Sequence, residues 1–368
     1  MKNDLPYQLA LTQVPHIGAV HAKTLASHFG TAAAIFKASA AQLGKIEGIG
    51  PARAAALKSF NNFDSAEKEI DFIEKYNITP LYINDPDYPQ RLIHCYDPPT
   101  LLFYRGQANL NASHILAIIG TRYCTDYGRH ITEKLVQELA GMDILVVSGL
   151  AYGIDALAHR AALKYALPTV GVLGHGLDTM YPAQHTSLAK EMIQQEGGLL
   201  TGFGSNTKPD KHNFPARNRI VAGMSDAIIV VETDVKGGSM ITAEIANSYN
   251  KDVFAFPGKA TDTKSAGCNY LIKNNKAMLL TSAQDIIDTL GWTDHRPTLP
   301  ATPQRNLFTN LNEEEKKVAG ILQEKGPVHI DELNMHSGLS SSTVAAAILN
   351  MELEGMIQSL PGKRYQLI

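Results

Sequence analysis

A glycine, a hydroxyl residue and an arginine follow one another directly after the apolar run Leu116–Ile119: Gly120, Thr121 and Arg122. A glycine lets the backbone approach a ligand closely, a threonine hydroxyl forms hydrogen bonds, and the guanidinium fork of an arginine fits a phosphate group. A helical pattern begins a few residues later, around Tyr127. A strand that ends in such a loop before a helix is typical of anion binding in an α/β sheet.

Three more glycine-containing loops also end apolar, strand-like runs: Ser148–Gly153, Gly174–Gly176 and Gly237–Ser239. The last of these lies before or within the first turn of a predicted helix, whose positive end favours an anion. Because the carboxyl ends of parallel strands share one edge of a sheet, we expect all four loops to line up there. The first and last of these loops, with Thr242 just after the last, add the candidate binding residues Ser148, Gly149, Gly153, Gly237, Gly238, Ser239 and Thr242.

A short segment combines cations with an aromatic ring. It holds four cations within twelve residues, Lys208, Lys211, Arg217 and Arg219, against one acid, Asp210. Phe214 lies between them, and Arg217 and Asn218 are predicted to occupy the first turn of the next helix. Cations that hold a backbone and a ring that stacks on a base are what single-stranded nucleic acid requires. The alternative is a solvated basic loop anchored by Phe214; the glycine loops on the same edge favour binding.

Three further sets of polar residues each have a functional and a structural interpretation. Asp155 and His159, four residues apart, are an acid–base or metal pair, or an intrahelical pair that braces the preceding loop; two ligands are too few for zinc, which favours the second. Asp178 and Tyr181 contact a ligand or cap the following helix. Glu232 ends a predicted strand and faces a ligand or pairs with a neighbouring arginine.

The bulk properties are those of a soluble globular protein of two or three domains, with 368 residues, 44% apolar content and a net charge of −3. That charge excludes a uniformly basic protein but permits a local basic groove. Three cysteines without a C-x-x-C pair predict no disulfide framework and no metal site. The absence of a long apolar run predicts no membrane span, and we expect a cytoplasmic protein.

The pattern divides the chain into five parts: an N-terminal helical domain at 1–65, a connecting region at 66–112, a core at 113–292, a linker at 293–311 and a C-terminal domain at 312–368. In the core, strand-like runs alternate with amphipathic helices, which predicts an α/β fold with an extended, Rossmann-like, mostly parallel sheet. The predicted strands of the core are Ile115–Ile119, Ile144–Val147, Thr169–Leu173, Gly198–Thr201, Ala227–Val231 and Val253–Phe256. A further short strand, Leu101–Gly106, is predicted in the connecting region.

Both flanking domains have a helical pattern. Near the N-terminus, Val14–Gly18 recurs as Glu47–Gly50, and each copy reads as helix, glycine turn, helix. This helix-hairpin-helix or SAM-like unit either binds phosphate through its turns or only forms a small packed helical bundle, and its few cations favour the bundle.

The C-terminal pattern predicts a winged helix, whose third helix, Ser341–Glu354, has no lysine or arginine. That favours a protein-contact or regulatory role over duplex recognition.

Several catalytic motifs are missing. The sequence has no Walker phosphate loop, no dinucleotide fingerprint, no G-x-S-x-G elbow and no H-E-x-x-H pair. No set of residues supplies a nucleophile, a base and an orienting group. We therefore predict a protein that is not an enzyme and needs no cofactor.

The motifs taken together resemble one family, the DNA-processing proteins called DprA or Smf. The segments that carry the resemblance occur in order through the core: Ile118–Arg122, Ser148–His159, Gly174–Pro182, Asn213–Ser225, Lys236–Ala243, Phe256–Gly258 and Gly267–Ile272. The helical N-terminus and the winged helix are also similar to the usual flanks of that family.

The resemblance implies a Rossmann-like core that binds single-stranded DNA without cutting it. It also implies a homodimer that protects incoming DNA and loads the recombinase RecA in natural transformation and homologous recombination. By motif, Arg122 corresponds to a phosphate-binding arginine, and Lys211 and Phe214 to residues that grip and stack the strand. Arg217, Asn218 and Arg219 belong to the same basic pocket by this resemblance.

One alternative comes from a different class, the Rossmann-type nucleotide-binding enzymes that cleave nucleoside monophosphates as phosphoribohydrolases. Their loop reads P-G-G-x-G-T-x-x-E, and here Gly237, Gly238 and Glu244 match its ends. Met240 and Ile241 replace its central glycine and threonine, so the flexible backbone of that phosphate loop is lost. This alternative therefore ranks second.

Overall fold

The computed structural model describes residues 4–292, 311–353, 356–360 and 362–367. The chain forms two compact units, Met1–His295 and Arg296–Ile368. Residues 293–310 of the predicted linker lie outside the described residues, and the five-part division of the chain remains a prediction. None of the helices in the described part of the chain has the length and apolar character needed to cross a membrane.

The first unit begins with six helices. Gly18 and Gly50 occupy the N-cap positions of the second and fifth helices, so each copy of the repeat forms the predicted helix, glycine turn and helix. Leu11, Leu25 and Leu57 form part of a small separate core between them. The six helices are α1 (Leu5–Leu11), α2 (Ala19–Phe29), α3 (Ala32–Lys37), α4 (Ala40–Leu43), α5 (Pro51–Ser59) and α6 (Asp64–Lys75).

Three cations of this helical region are engaged with backbone carbonyl oxygens. Each donates to two carbonyl oxygens at 2.7–3.1 Å: Lys23 to Ile93 and Cys95, Arg53 to His16 and Gly48, and Lys58 to Phe36 and Ala38. Carbonyl oxygens near helix ends need such donors because they have no intrahelical partner. This arrangement favours the packing interpretation of the repeat over direct phosphate binding.

Nine strands form one sheet in the order β1-β2-β6-β5-β4-β3-β7-β8-β9. The strands from β6 to β9 in this order are parallel, whereas β2 is antiparallel to both β1 and β6. The mostly parallel sheet confirms the predicted fold class. The strands are β1 (Thr79–Tyr82), β2 (Leu101–Gly106), β3 (His114–Ile119), β4 (Ile144–Ser148), β5 (Thr169–Leu173), β6 (Gly198–Thr201), β7 (Ala227–Val230), β8 (Asp252–Ala255) and β9 (Met278–Leu279).

Helices cover both faces of this sheet. Along β3, Ile115, Ala117 and Ile119 pack into one hydrophobic cluster, and Leu116 and Ile118 into a second on the opposite face. A strand buried on both faces reads as a continuous apolar run, which is why the central strands were recognisable. The helices are α7 (Gln90–Ile93), α8 (Asp126–Glu138), α9 (Ile154–Lys164), α10 (Thr186–Gln194), α11 (Asn213–Met224), α12 (Gly238–Ser248), α13 (Ala266–Lys273) and α14 (Ala283–Leu290).

The second unit is a winged helix, as predicted. Three helices pack on a three-stranded antiparallel sheet of order β10-β12-β11. In the described part of its third helix there is no lysine or arginine, and Leu349 and Leu353 are exposed. The elements are α15 (Glu313–Lys325), β10 (Val328–His329), α16 (Ile330–Ser337), α17 (Ser341–Leu353), β11 (Ile357–Leu360) and β12 (Arg364–Leu367).

Candidate nucleic-acid interface

A cleft of about 480 Å³ opens at the carboxyl edge of the sheet. The strand order reverses here, because β4 lies on one side of β3 and β7 on the other. In open α/β sheets, ligands bind at such a reversal, where the loops diverge. Twelve of the sixteen predicted residues line the cleft: Gly120, Thr121, Arg122, Gly149, Lys211, Phe214, Arg217, Asn218, Gly237, Gly238, Ser239 and Thr242.

The other four predicted residues lie outside the lining. Ser148 is buried, and its hydroxyl donates to the carbonyl oxygen of Ile118 at 2.6 Å. Gly153 has a φ of +75°, and a Cβ there would stand 2.2 Å from the Thr121 oxygen, so it supports the first loop from behind. Lys208 is exposed in the loop before α11. Arg219 pairs with Asp97 at 2.9 Å.

The loop after β3 is held in place by backbone contacts. The Thr121 amide donates to the Glu232 carbonyl oxygen at 2.7 Å, and the Thr121 carbonyl oxygen accepts from the Ile154 amide at 3.2 Å. Gly120 is required, since a Cβ there would come within 2.5 Å of the Ile154 side chain. Arg122 is exposed, and none of the ion pairs among the described residues involves it. Its charge is therefore available to a ligand.

The ring of Phe214 lies close to two guanidinium groups. Its ring centroid is 5.7 Å from the Cζ atom of Arg122 and 5.8 Å from that of Arg217, within the range of cation–π contacts. The Tyr181 ring is 6.4 Å away, and a smaller hollow adjoining the main cleft is lined by both rings. The combination places an aromatic face within a positively charged cleft.

The start of α11 differs from the prediction. The helix begins at Asn213, so Phe214 lies in its first turn and Arg217 and Asn218 lie in its second. The predicted helix starts at Arg217, whereas the observed helix includes Pro215 in its first turn. A proline fits the first turn of a helix, where its missing N–H has no intrahelical acceptor.

Arg217 forms a buried ion pair beneath the cleft. Its Nη1 atom lies 3.9 Å from Oδ2 of Asp155 and donates to the Val172 carbonyl oxygen at 3.4 Å. Burial raises the pKa of Asp155, against the lowering effect of the Arg217 charge. The Nε atom of Arg217 has no hydrogen-bond partner within the described residues. A buried guanidinium with spare donor capacity is suited to an anion placed above it.

The predicted intrahelical pair of Asp155 and His159 is wrong. Asp155 does brace the preceding loop, since it accepts from the Ala151 amide at 3.3 Å. His159, however, is turned into the core, where its Nδ1 atom lies 2.7 Å from Oγ1 of Thr169. Burial lowers the pKa of His159 to about 3, so its imidazole is neutral at physiological pH.

Two other predictions are corrected. Glu232 is fully buried and neither faces the cleft nor pairs with an arginine; its carboxylate accepts from the amide and hydroxyl of Thr125 at the start of α8. A carboxylate at this position is stabilised by the helix dipole. Asp178 does not cap α10, whose N-cap residue is His185. Tyr181 is 47% exposed and lines the smaller hollow.

The N-terminus of α12 forms the other side of the cleft. Gly237 is its N-cap residue and offers no side chain to the free amides of the first turn. Ser239 donates to Oγ1 of Thr233 at 2.7 Å, so its hydroxyl is already used. The anion-binding capacity of this end therefore lies in the backbone amides and the helix dipole.

Two exposed tyrosines at the rim were missed by the sequence analysis. Tyr123 lies in the main cleft beside Arg122 and is 79% exposed, and Tyr152 lines the smaller hollow. An aromatic residue next to a cation was the pattern that identified Phe214, and the same pattern at Tyr123 would have found it. Among the described residues no cluster of His, Cys, Asp or Glu is suited to a metal, and the three cysteines are free.

Residues 79–291 match the family described as DNA recombination-mediator protein A. Residues 300–363 match the DprA winged helix domain, and residues 9–70 match the helix-hairpin-helix motif. The chain is 35% identical over 395 residues to Protein Smf of Synechocystis sp., with 98% of each chain covered. It is 39% identical over 247 residues to the DNA processing protein DprA of Streptococcus pneumoniae, covering 67% of this chain and 86% of that one.

Two solved structures are similar. The X-ray structure of DprA from Streptococcus pneumoniae superposes with a TM-score of 0.67 at 33% identity, covering 77% of this chain and 97% of that one. DNA processing protein A from Helicobacter pylori, described for its single-stranded DNA binding mode, superposes with a TM-score of 0.53 at 32% identity, covering 58% and 96%.

Proposed function

The chain belongs to the DNA recombination-mediator protein A family, also called DprA or Smf, and on that premise we propose that it binds single-stranded DNA in the cleft at the carboxyl edge of its sheet. The observation that carries the proposal is the convergence of Arg122, Lys211 and Phe214, distant in sequence, on one cleft. The two cations neutralise phosphates, and the ring stacks on a base. The proposal is confined to the twelve lining residues.

The depth of the aromatic ring favours unpaired strands. Phe214 is half-buried and lies beside Arg122 and Arg217, so a base must turn out of its own stack to contact the ring. Bases of a single strand turn outward freely, whereas a duplex must first be unpaired and unstacked at a cost of a few kcal/mol. The cleft therefore selects single strands by access to the ring as well as by charge.

The wider role follows the resemblance to the family. The bound strand is protected and passed to the recombinase RecA, in natural transformation or another route of homologous recombination. The protein acts as a homodimer, in the cytoplasm, where its three free cysteines stay reduced. DNA processing protein A of Helicobacter pylori, with its single-stranded DNA binding mode, supports the DNA part of this proposal.

Binding without catalysis is part of the proposal. The buried acid of the site, Asp155, is paired with Arg217, and His159 is neutral and faces the core. The phosphoribohydrolase alternative requires Glu244 as the acid of its loop. Glu244 instead pairs with Lys276 at 2.7 Å and does not line the cleft, which argues against that activity.

Fluorescence anisotropy with labelled oligonucleotides over a salt series tests the proposal. We expect tighter binding of single than of double strands, and about tenfold weaker binding for Arg122→Ala. The slope of log affinity against log salt should fall by about 0.7 in that variant, the value for one phosphate contact on a single strand. Arg129→Ala is the matched control, because Arg129 is exposed on α8 outside the cleft. Unchanged affinity in both Arg122→Ala and Lys211→Glu would refute the proposal.

A further inference from the structure

The loop between β6 and α11, residues 202–212, carries both lysines of the basic segment, of which Lys211 lines the cleft. Lys211 lies near its end and lines the cleft, and Phe214 follows in the first turn of α11. Both side chains therefore depend on the path of this loop. A mobile loop would lose conformational entropy on binding, whereas a fixed loop has already lost it on folding.

The middle of the loop is anchored by a carboxylate from the N-terminal helices. The Ser205 amide donates to Oε1 of Glu69 at 2.9 Å and lies 3.1 Å from Oε2, and the Ser205 hydroxyl donates to Oε2 as well. Hydrogen bonds to an ionised carboxylate are about twice as strong as neutral ones. On the other side of the loop, the Gly176 amide donates to the Thr207 carbonyl oxygen at 3.0 Å.

Glu69 is held on a rigid support. It lies on α6, whose residues Ala66 and Ile73 are buried in the same hydrophobic cluster that covers one face of the sheet. Glu69 is half-buried, and it lies 136 positions before Ser205 in the sequence. The anchor thus connects the core of the molecule directly to the basic loop.

The charge of Glu69 is opposite to what the cleft needs. A carboxylate next to a DNA-binding loop repels phosphate, so electrostatics alone predicts that its removal strengthens binding. Anchoring predicts the reverse, because loss of the carboxylate frees the loop. The direction of the effect therefore separates the two roles.

We infer that Glu69 is a positioning residue for DNA binding, by which the N-terminal helical region fixes the basic loop without contacting the DNA. The inference rests on the proposed function of the cleft. It agrees with the engagement of Lys23, Arg53 and Lys58 by backbone carbonyl oxygens, which leaves the helical repeat little charge for phosphate.

Anisotropy measurements on the full chain test this with two substitutions. Glu69→Ala removes the anchor and should weaken binding of a single-stranded oligonucleotide about tenfold, with a smaller salt slope because Lys211 is no longer held in place. Glu69→Gln removes the charge but keeps an oxygen acceptor for the Ser205 amide, and should stay within about threefold of the parent. Glu67→Ala is the matched control, an exposed acid on the same helix, and should leave affinity unchanged or slightly increased.

Parent-like or tighter binding by Glu69→Ala would overturn the inference, as would an equal loss in both Glu69 variants. Should Glu69→Ala fail to fold in a thermal unfolding scan, Ser205→Ala decides the matter. It removes the hydroxyl donor without touching α6, and binding about threefold weaker is expected; unchanged binding would overturn the inference. Failure of the proposed function is a different result, namely parent protein that does not prefer single strands or does not respond to Arg122→Ala.

Discussion

The backbone of Gly149 lies directly against the guanidinium of Arg217, since a Cβ atom at position 149 would stand 1.3 Å from the Nη1 atom. Any side chain at 149 therefore displaces the arginine from beneath the cleft. We expect Gly149→Ala to lower the free energy of unfolding by about 1–3 kcal/mol, the usual cost of overpacking, and to weaken single-strand binding. Thermal unfolding and anisotropy check both effects. Gly238→Ala, at a position with open space around it, should leave stability unchanged.

The two lysines of the basic segment should differ. Lys211 lines the cleft and Lys208 does not, although both are exposed and lie three residues apart. Lys211→Ala should therefore reduce single-strand affinity about tenfold and lower the salt slope by about 0.7, while Lys208→Ala changes affinity less than about twofold. Equal losses measured by anisotropy in the two variants would show that the segment acts as a diffuse positive surface.

Replacement of the aromatic ring should separate stacking from charge. Phe214→Leu keeps an apolar side chain but removes the face that stacks on a base, a contact of about 1–3 kcal/mol. We expect about tenfold weaker binding with an unchanged salt slope, because no ionic contact is lost. Tyr76→Leu, which removes a partly exposed ring at the C-cap of α6, serves as the control. A slope that falls with Phe214→Leu would indicate that the ring mainly positions the neighbouring cations.

The stability of the first unit should fall in mild acid because of His159. Its pKa is about 3 in the fold but about 6.5 in the unfolded chain, so the unfolded state binds more protons between these values. Stability is therefore complete above pH 6.5 and is lost as the pH falls toward 3, by up to about 1.4 kcal/mol per pH unit. Urea unfolding of the parent and of His159→Asn at pH 7 and pH 4.5 measures the difference. An equal loss in both proteins would assign the acid sensitivity to other groups.

The central strands could be predicted because burial on both faces leaves a continuous apolar run, and their bounds agree with the structure to within one residue at each end. β1 was missed because Pro80 interrupts it, which is tolerated only since β1 lies at the edge of the sheet. β9, with two residues, is too short to form a pattern.

The composition of the cleft was predictable, but the partners of its charged residues were not. Glycine loops at strand ends and a basic-aromatic segment are local patterns, and topology brings them to one edge. The contacts of Glu232 with Thr125, and of Asp155 with Arg217, join residues 107 and 62 positions apart. Hydropathy and spacing describe only neighbours along the chain, so such contacts leave no trace in them.

The reversal of strand order between β3 and β7 has a further consequence for the thermodynamics of recognition. The two strands are hydrogen-bonded neighbours, about 4.8 Å apart, and the chain segments that follow them depart in different directions to open the groove. The groove is thus already shaped before any ligand arrives, and the protein loses little freedom on association. Most of the conformational entropy lost on binding is therefore lost by the flexible nucleotide chain. A stiffer oligonucleotide has less of this entropy to lose, so the stiffness of the oligonucleotide should affect the affinity more than ordering of the protein does.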